Sequence, residues 1–365
     1  MKRSIWRNKK GQIQGVDFAL AMVIFMIMFA EIIVLTLTFI EPKYQNLENR
    51  AFESRAQQVY DAFFSSSGYP NDWEYDYGTE FNSFGLREIS SIELDANKIS
   101  RINPDSLYSL SYEELKANLS REIDFGFQLT ITSLYDVSCS MTLSQPTGSI
   151  DVSTSIGDCI IWAFVVAPNG FVLFTQRTQT NALGVLSVSF PTGTGLLPSG
   201  VYTTVIFAQS PGGLFAIDYT DVMVGTDTNL GLKLIIQEEQ TSNGQASIQT
   251  INDGSLISLQ TTVLYPYQIG EELMGNETFT IASPSVSENF NLRIPTNGTC
   301  VTLLTGESAT SFSRKTYVFP ALLDEDFGTI FGYGIVPENK ESVRFEKLVT
   351  IRECIFKAVL YLWAE

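Results

Sequence analysis

The residues that could do chemistry fall in a few short runs. "NDWEYDYGTE" (71–80) alternates Asp72, Glu74, Asp76 and Glu80 with aromatic side chains, and "LLDEDFG" (322–328) gathers Asp324, Glu325 and Asp326. The second run lacks the alternating D-x-D-x-D ladder and distal glutamate that wrap a calcium ion, so it reads as a solvated acidic turn. The first reads as a charged outer face above a packed aromatic one. "LSQPTGS" and "TGTG" supply glycines without the strand, lysine and helix of a phosphate-binding loop, which makes them turns. Histidine is absent from all 365 residues. Without it a serine or cysteine nucleophile has no imidazole base, and the commonest zinc and iron ligand is missing. The cysteines, Cys139, Cys159, Cys300 and Cys354, are far apart with no CxxC pair, so zinc ribbons and redox motifs find no support. Two states stay open for them: disulfides, with Cys139 to Cys159 and Cys300 to Cys354 the pairing favoured by spacing, or buried thiols. No catalytic residue, cofactor site or metal site is expected, and the chain is read as not an enzyme.

Composition bounds the scaffold around these runs. Hydrophobic residues make up 44% and aromatic residues 12%, with only 17% charged, the profile of a folded chain. Its length suffices for two or three compact units, each with its own core. The net charge of −17 understates an asymmetry: Lys2, Arg3, Arg7, Lys9 and Lys10 stand in the first ten residues without an acid, leaving the other 18 basic residues against all 40 Asp and Glu, a balance of −22. Such a body repels phosphates and anionic headgroups, which excludes nucleic acid as an expected partner and suits a salt-exposed outer surface.

From Phe18 to Ile40 the only polar residues are Glu31, Thr36 and Thr38. A helix of that length is roughly 34 Å long, enough to cross a hydrocarbon core of about 30 Å with some tilt. A cleaved secretory signal has a shorter apolar region and a small-x-small site, whereas this stretch runs straight into "FIEPKY". The expected outcome is a retained anchor in a lipid bilayer, with residues 1–11 a basic cytoplasmic leader and the body outside the cell. A charge at the centre of a spanning helix costs a few kcal/mol, so Glu31 is either neutral there or turned toward a neighbouring helix. The sequons at Asn118, Asn276 and Asn297 lie beyond the span and are candidate glycosylation sites of an outward-facing body.

The run "NKKGQIQGVDFALAMVIF", basic residues, Gly-Gln, then a long apolar helix with Asp17 near its start, resembles the class III signal of archaeal type IV pilin-like proteins. The resemblance implies cleavage by a prepilin-type peptidase after Gly11, with Gln12 as the new terminus, and association with copies of itself or other pilin-like subunits through helix packing at Asp17 and Glu31. It continues into a "GYPNDWE" turn (Gly68, Tyr69, Pro70, Asn71, Trp73), a short "GL" stretch (Gly85, Leu86) and a "Y-E-x-L" helix (Tyr112, Glu113, Leu115), covering roughly residues 1 to 130. Asp17 departs from the pattern: bacterial-type pilins carry a glutamate five residues after the cut, and Asp17 is the sixth. Its role in pairing with the new terminus is therefore unassigned.

Along the body, Phe52, Ala56, Val59, Tyr60 and Phe63 fall on one helical face that ends at "SSSGYP". Residues 12–65 are thus expected to form a transmembrane and stalk helix. "SSIELDANKISRIN" reads as a strand and loop, "DSLYSLSYEELKANLS" as a helix and "FGFQLTITSL" as a strand, giving an α+β head over 66–138. From 139 to 227, β-branched and aromatic runs broken by "PNG", "NALG", "PSG" and "PGG" predict a small antiparallel sandwich. The cadence "TNALGVLSVSF" then "PSGVYTTVIFA" resembles immunoglobulin-like bacterial and archaeal surface domains, with Gly184 and Gly200 in turns and Tyr202 opening an inward-facing strand. Residues 228–365 form a β-rich region whose final segment, "VRFEKLVTIRECIFKAVLYLWAE", reads as two strands about a turn at Glu353. In the resembling proteins a terminal strand rejoins the head, so this region is a candidate to complete it.

The fold expected is therefore α+β and mostly β: a long N-terminal helix, an α+β head and an immunoglobulin-like sandwich. The function expected is a membrane-anchored extracellular structural protein, a pilin-like subunit or cell-envelope surface protein assembling through its helix. A monomeric tethered adhesin or ligand-binding ectodomain is the alternative. The fold by itself grants no activity.

Overall fold

The computed structural model describes residues 5–36, 38, 41–75, 82–104, 106, 108–119, 125–225, 233–238, 245–251, 258–266, 275–281, 288–293, 299–307, 312–319, 323–327 and 342–364. Only the backbone is described for 5–16, 41–49, 233–238, 245–251, 258, 275–281, 288–293, 323–327 and 364. The chain divides into two compact units, Met1–Gln58 and Val59–Glu365.

The first unit is helical. Helix α1 (Ile5–Leu35) contains the apolar stretch, and α2 (Glu41–Ser65) begins in this unit. Within α1, Asp17–Leu35 is long and apolar enough to cross a membrane. Thr36 lies in a widened turn beyond α1 and donates to the Ile32 carbonyl (2.8 Å), giving a helix-end acceptor a partner.

The second unit opens with the last turns of α2, followed by α3 (Ala96–Ile102) and α4 (Tyr112–Leu119). The "LDANKISRIN" segment is thus helical, a correction to the strand expected there. Asp95 supplies the reason: its carboxylate caps α3 by accepting from the Asn97 N–H (2.8 Å) and the Lys98 N–H (3.3 Å). Helix α4 starts with a reciprocal capping box, in which Glu114 accepts from the Ser111 N–H (2.8 Å) while the Glu114 N–H donates to the Ser111 hydroxyl (3.2 Å).

The strands follow in chain order. First comes β1 (Phe125–Thr132), then β2 (Val137–Thr142), β3 (Thr147–Thr154), β4 (Ile160–Val166), β5 (Val172–Gln179), β6 (Val185–Pro191), β7 (Gly200–Gln209) and β8 (Phe215–Val224). Next are β9 (Lys233–Glu238), β10 (Gln245–Ile251), β11 (Ser258–Tyr265), β12 (Gly275–Ile281), β13 (Glu288–Arg293), β14 (Cys300–Glu307) and β15 (Phe312–Phe319). The last are β16 (Leu323–Phe327), β17 (Ser342–Ile351) and β18 (Cys354–Ala364). All described pairings are antiparallel, in sheets ordered β16-β1-β18-β17, β2-β3-β6, β5-β4-β7-β8, β12-β11-β14-β15 and β13-β10-β9. The head sheet therefore joins a strand near residue 130 to the end of the chain, with Phe125 opposite Ala364 and Thr132 opposite Lys357. Asp324, Glu325 and Asp326 of the acidic run fall on β16 beside β1, where a turn was expected.

The β5-β4-β7-β8 sheet is covered on both faces. Ile161 to Val166 of β4 and Gly200 to Ala208 of β7 are buried without a break. Near-continuous apolar strands of this kind need a partner layer on each side. Ile161, Ala163, Val165, Tyr202 and Ile206 face β2-β3-β6 and pack with Met141, Ile150, Val152 and Phe190. Trp162, Phe164, Val205 and Phe207 face the other way and pack with Leu264, Val301, Leu303 and Val318 of β12-β11-β14-β15. Each fully buried aromatic or aliphatic side chain contributes about 1.5–3 kcal/mol, so the second face is a substantial interface in its own right.

A polar lock closes one end of that interface. The Arg314 guanidinium on β15 donates to the Val166 carbonyl (3.2 Å), to the Ala167 carbonyl, to the Thr203 hydroxyl (3.0 Å) and to the Thr305 hydroxyl (3.2 Å). Thr203 in turn donates to Asp221. Burial pulls the Arg314 pKa down to about 10, with Asp221 opposing it, so the side chain stays charged at neutral pH. Arg314→Ala removes a donor from two carbonyls and two hydroxyls at once, although Ala167 keeps the Gly170 N–H (2.8 Å) and Thr203 keeps Asp221. It is expected to destabilise the unit by about 2–4 kcal/mol in urea denaturation, with Arg314→Met losing less because the hydrophobic stem still fills the space.

The β17–β18 hairpin turns on Arg352 and Glu353, with φ of +49° and +64°. Both central residues occupy the left-handed region that such two-residue turns require, and neither is glycine. Glu353→Gly is expected to raise stability by about 0.5–1 kcal/mol, read as a higher denaturation midpoint at unchanged slope.

Candidate functional site: an apolar helix and a buried charged cluster

Two features of the described residues stand outside ordinary core packing. The first is the surface of α1. Phe18 is 67% exposed, Phe25 63% and Met26 68%. Every residue from Asp17 to Thr36 is exposed, Asp17 and Glu31 included. Soluble monomers rarely leave so large a continuous apolar surface in water. A helix that is apolar all round instead suits hydrocarbon or a bundle of like helices. Gly11 and Gln12 lie on the α1 backbone, with side chains outside the described residues.

The second feature is built where the head's turn meets α3. Gly68 takes φ +79°, and a Cβ there would come within 2.8 Å of the Ser83 carbonyl oxygen and the Trp73 ring. Gly85 runs so close to Ser66 that a Cβ would meet its carbonyl oxygen at 2.2 Å. Trp73, 1% exposed, donates from Nε1 to the Gly85 carbonyl (3.2 Å), and its ring leans on Phe84 at 5.6 Å between centroids. Tyr69 pairs with Ser83 through its N–H (2.9 Å). Gly68, Trp73, Gly85 and the Tyr69 backbone thus form one knot. Leu86 beside it is fully buried, as is Leu115 on α4, while the Tyr112 hydroxyl accepts from the Phe127 N–H (3.1 Å) of β1.

At the centre of the knot stands Lys98, a lysine with no exposed surface. Its ammonium donates to the Ser67 carbonyl (2.9 Å) and the Arg87 carbonyl (3.1 Å), clamping both sides of the turn to α3. Glu74 Oε2 lies 3.9 Å from Lys98 Nζ, and Glu74 is only 3% exposed. This corrects the reading of 71–80 as a charged outer face at that position; Asp76 and Glu80 lie outside the described residues. Burial, reinforced by the nearby Asp95 carboxylate, pushes the Glu74 pKa up to about 7; Lys98 opposes the rise and Asp72 adds to it. Burial also raises Asp95, against Lys98 and the N–H groups it caps. Next to them Asn97 donates to the Tyr75 hydroxyl (2.6 Å). The cluster can hold a turn in place and bind a proton. It offers no nucleophile, and among the described residues no group of three or more His, Cys, Asp or Glu is placed to hold a metal ion.

The other residues singled out in the sequence are dispersed. All four cysteines stand as free thiols in the structure. Cys139 on β2 has its N–H on Asp218 Oδ2 (2.6 Å), and burial together with that carboxylate drives its thiol strongly upward, toward the unreactive neutral form. Cys159, just before β4, donates from Sγ to the Ile156 carbonyl (3.2 Å). Cys300 opens β14 opposite Phe319, and Cys354 opens β18 opposite Ile351, in different sheets. Asn118 is on α4, its amide donating to the Glu114 carbonyl (2.8 Å). Asn276 is on the β12 backbone, and Asn297 lies outside the described residues. Gly184, φ +78°, makes the turn before β6, and Tyr202 on β7 faces inward at 1% exposure.

No family model and no curated protein matches the chain. Among solved structures, it is similar to a two-domain fibronectin type III segment from chicken tenascin, at 11% identity over 52% of this chain and 98% of that one, with a TM-score of 0.19. It is also similar to red sea bream transglutaminase, at 12% identity over 49% of this chain and 30% of that one, with a TM-score of 0.17.

The clamp made by Lys98 has a direct test. Lys98→Met keeps the buried stem and deletes the ammonium, leaving the Ser67 and Arg87 carbonyls without their donor and two carboxylates without their counter-charge. Urea denaturation at pH 8 is expected to show a loss of about 3–5 kcal/mol; a loss under 1 kcal/mol would mean that the ammonium does not hold the turn.

Proposed function

We propose that this chain is a membrane-anchored extracellular structural protein, a pilin-like subunit or cell-envelope surface protein that assembles through its N-terminal helix. The observation that carries the reading is the exposure of α1 from Asp17 to Leu35, apolar around its whole circumference except for Asp17 and Glu31. In lipid this surface loses no free energy to water, and a carboxyl at Glu31 gains by meeting a polar group on another helix. The leader's positive charges favour a cytoplasmic N-terminus and an outward-facing anionic body. Cutting after Gly11 would remove the leader and leave the apolar helix whole. The β-sandwich layers suit a spacer or adhesive role, which supports a second reading as a tethered adhesin that stays monomeric.

Fractionation and N-terminal sequencing separate these readings. Assembly predicts membrane or filament material beginning at Gln12, sedimentable particles, and loss of those particles in Glu31→Leu with circular dichroism of the body unchanged. Monomers in detergent that retain Met1 would favour the tethered adhesin. Intact protein in the soluble cytosolic fraction would defeat both.

A further inference from the structure

The two acids of the apolar helix α1 share one side of it. Asp17 and Glu31 stand 14 residues apart. At 3.6 residues per turn that brings them within about 40° of each other on a straight helix, roughly 21 Å apart along the axis, and into one column of a left-handed helix pair. Ile24 lies midway in that column, with Ala21 and Met28 beside it. Phe18, Met22, Phe25 and Phe29 occupy an adjoining face, about a quarter to a third of the way round. There the Phe25 and Phe29 rings stack at 6.2 Å between centroids. One face is thus marked by carboxyls and the next is aromatic. Asp17 and Glu31 are both exposed. The residues three and four positions from Glu31 on α1, Ile27, Met28, Val34 and Leu35, are apolar and offer it neither a cation nor a side-chain donor.

We infer that the Asp17–Glu31 face is the docking surface for a spanning helix of a different membrane protein, one that carries lysine or arginine. The inference rests on the reading of α1 as a membrane span and narrows the partner that span takes. Charge complementarity makes the choice. Ionisable groups inside a bilayer turn toward the interior of a helix assembly and pair there. A second copy of this chain cannot bring the opposite charge, because no Lys or Arg stands from Asp17 to Pro42 and histidine is absent. Parallel copies in register set carboxyl against carboxyl at both heights. Sliding a copy until its nearest cation, Lys43, is level with Glu31 takes 12 residues, a shift of about 18 Å that drags charged ends into the hydrocarbon. A partner helix with a basic residue at the height of Glu31 neutralises it without that shift. A second basic residue near Asp17, at the cytoplasmic end, sets the register of the pair. The phenylalanine face is left to the lipid.

The test uses the full chain in detergent micelles, with dye-labelled synthetic spanning peptides of leucine and alanine as probes and fluorescence anisotropy as the readout. One peptide carries a single central lysine and its control has leucine there. Two more carry a pair of lysines, spaced as Asp17 and Glu31 are or two residues closer. The wild type is expected to hold the single-lysine peptide about tenfold tighter than the leucine control, and Glu31→Leu to hold both equally. Of the two paired-lysine peptides, the one with the matching spacing is expected to bind tighter. Equal binding of lysine and leucine peptides by the wild type, or a preference that survives Glu31→Leu, would overturn the inference. So would a wild-type oligomer that the lysine peptide fails to disperse and that Glu31→Leu abolishes, which assigns the face to a second copy. The anchor reading fails separately, by recovery of the chain from the soluble fraction; a chain that enters micelles and ignores the lysine peptide sinks the docking surface alone.

Discussion

Strands β4 and β7 have no side that water touches, and this governs the body of the protein. A strand buried on both faces presents mostly apolar side chains to either side, so one sheet cannot complete it. The sheet β2-β3-β6 covers one face through Met141, Ile150 and Phe190, and β12-β11-β14-β15 covers the other through Leu264, Val301 and Leu303. The two layers therefore do not behave as beads on a string. Arg314 ties β15 to the middle sheet, because its planar fork reaches the carbonyl at the end of β4, the next carbonyl of the β4–β5 connection and a hydroxyl of β7 together.

The head solves a different problem. It is small and assembled from distant pieces: the end of α2, residues 66–75 and 82–95, two short helices, β1, and three strands from the chain's other end. Aromatic packing does most of the joining. Phe63 meets Phe84 at 4.9 Å and Phe127 at 5.5 Å between centroids, and Tyr60 stacks on Phe345 at 4.9 Å. Loops that pass through such a core must find partners for their carbonyls, since an unmet buried acceptor costs on the order of 1–3 kcal/mol. Lys98 is the device that meets two of them. A buried lysine is costly unless its donors are used, and here two of the three go to carbonyls of the turn.

How much of this was legible depended on whether each feature is local. The reciprocal cap of Ser111 and Glu114, the alternation in β1, the turn at Arg352 and Glu353 and the glycine at 184 are written within a few residues of where they act. The α3 helix was legible in part: Asp95 is a good cap and Ile99 and Ile102 share a face, but seven residues give too little periodicity to outweigh the β-branched content around them. Glu74 misled because alternation of acids with aromatics signals a half-exposed surface, and only the approach of α3 shows that this glutamate is enclosed. The state of the cysteines could not be read from spacing, since Cys300 and Cys354 open strands that lie in different sheets.

The sequence by itself determined that residues 18–40 are apolar but for Glu31, Thr36 and Thr38, that the rest is acidic and rich in antiparallel strands, and that imidazole chemistry is absent. Each of these is a property of composition or of neighbours along the chain. Tertiary structure alone decided that β18 returns to β1, that one sheet is sandwiched between two others, and that Lys98, Glu74 and Asp95 come together beneath the turn. These depend on segments tens to hundreds of residues apart. Burial is conferred on a side chain by what packs against it, and no local pattern states which distant strand or helix that is.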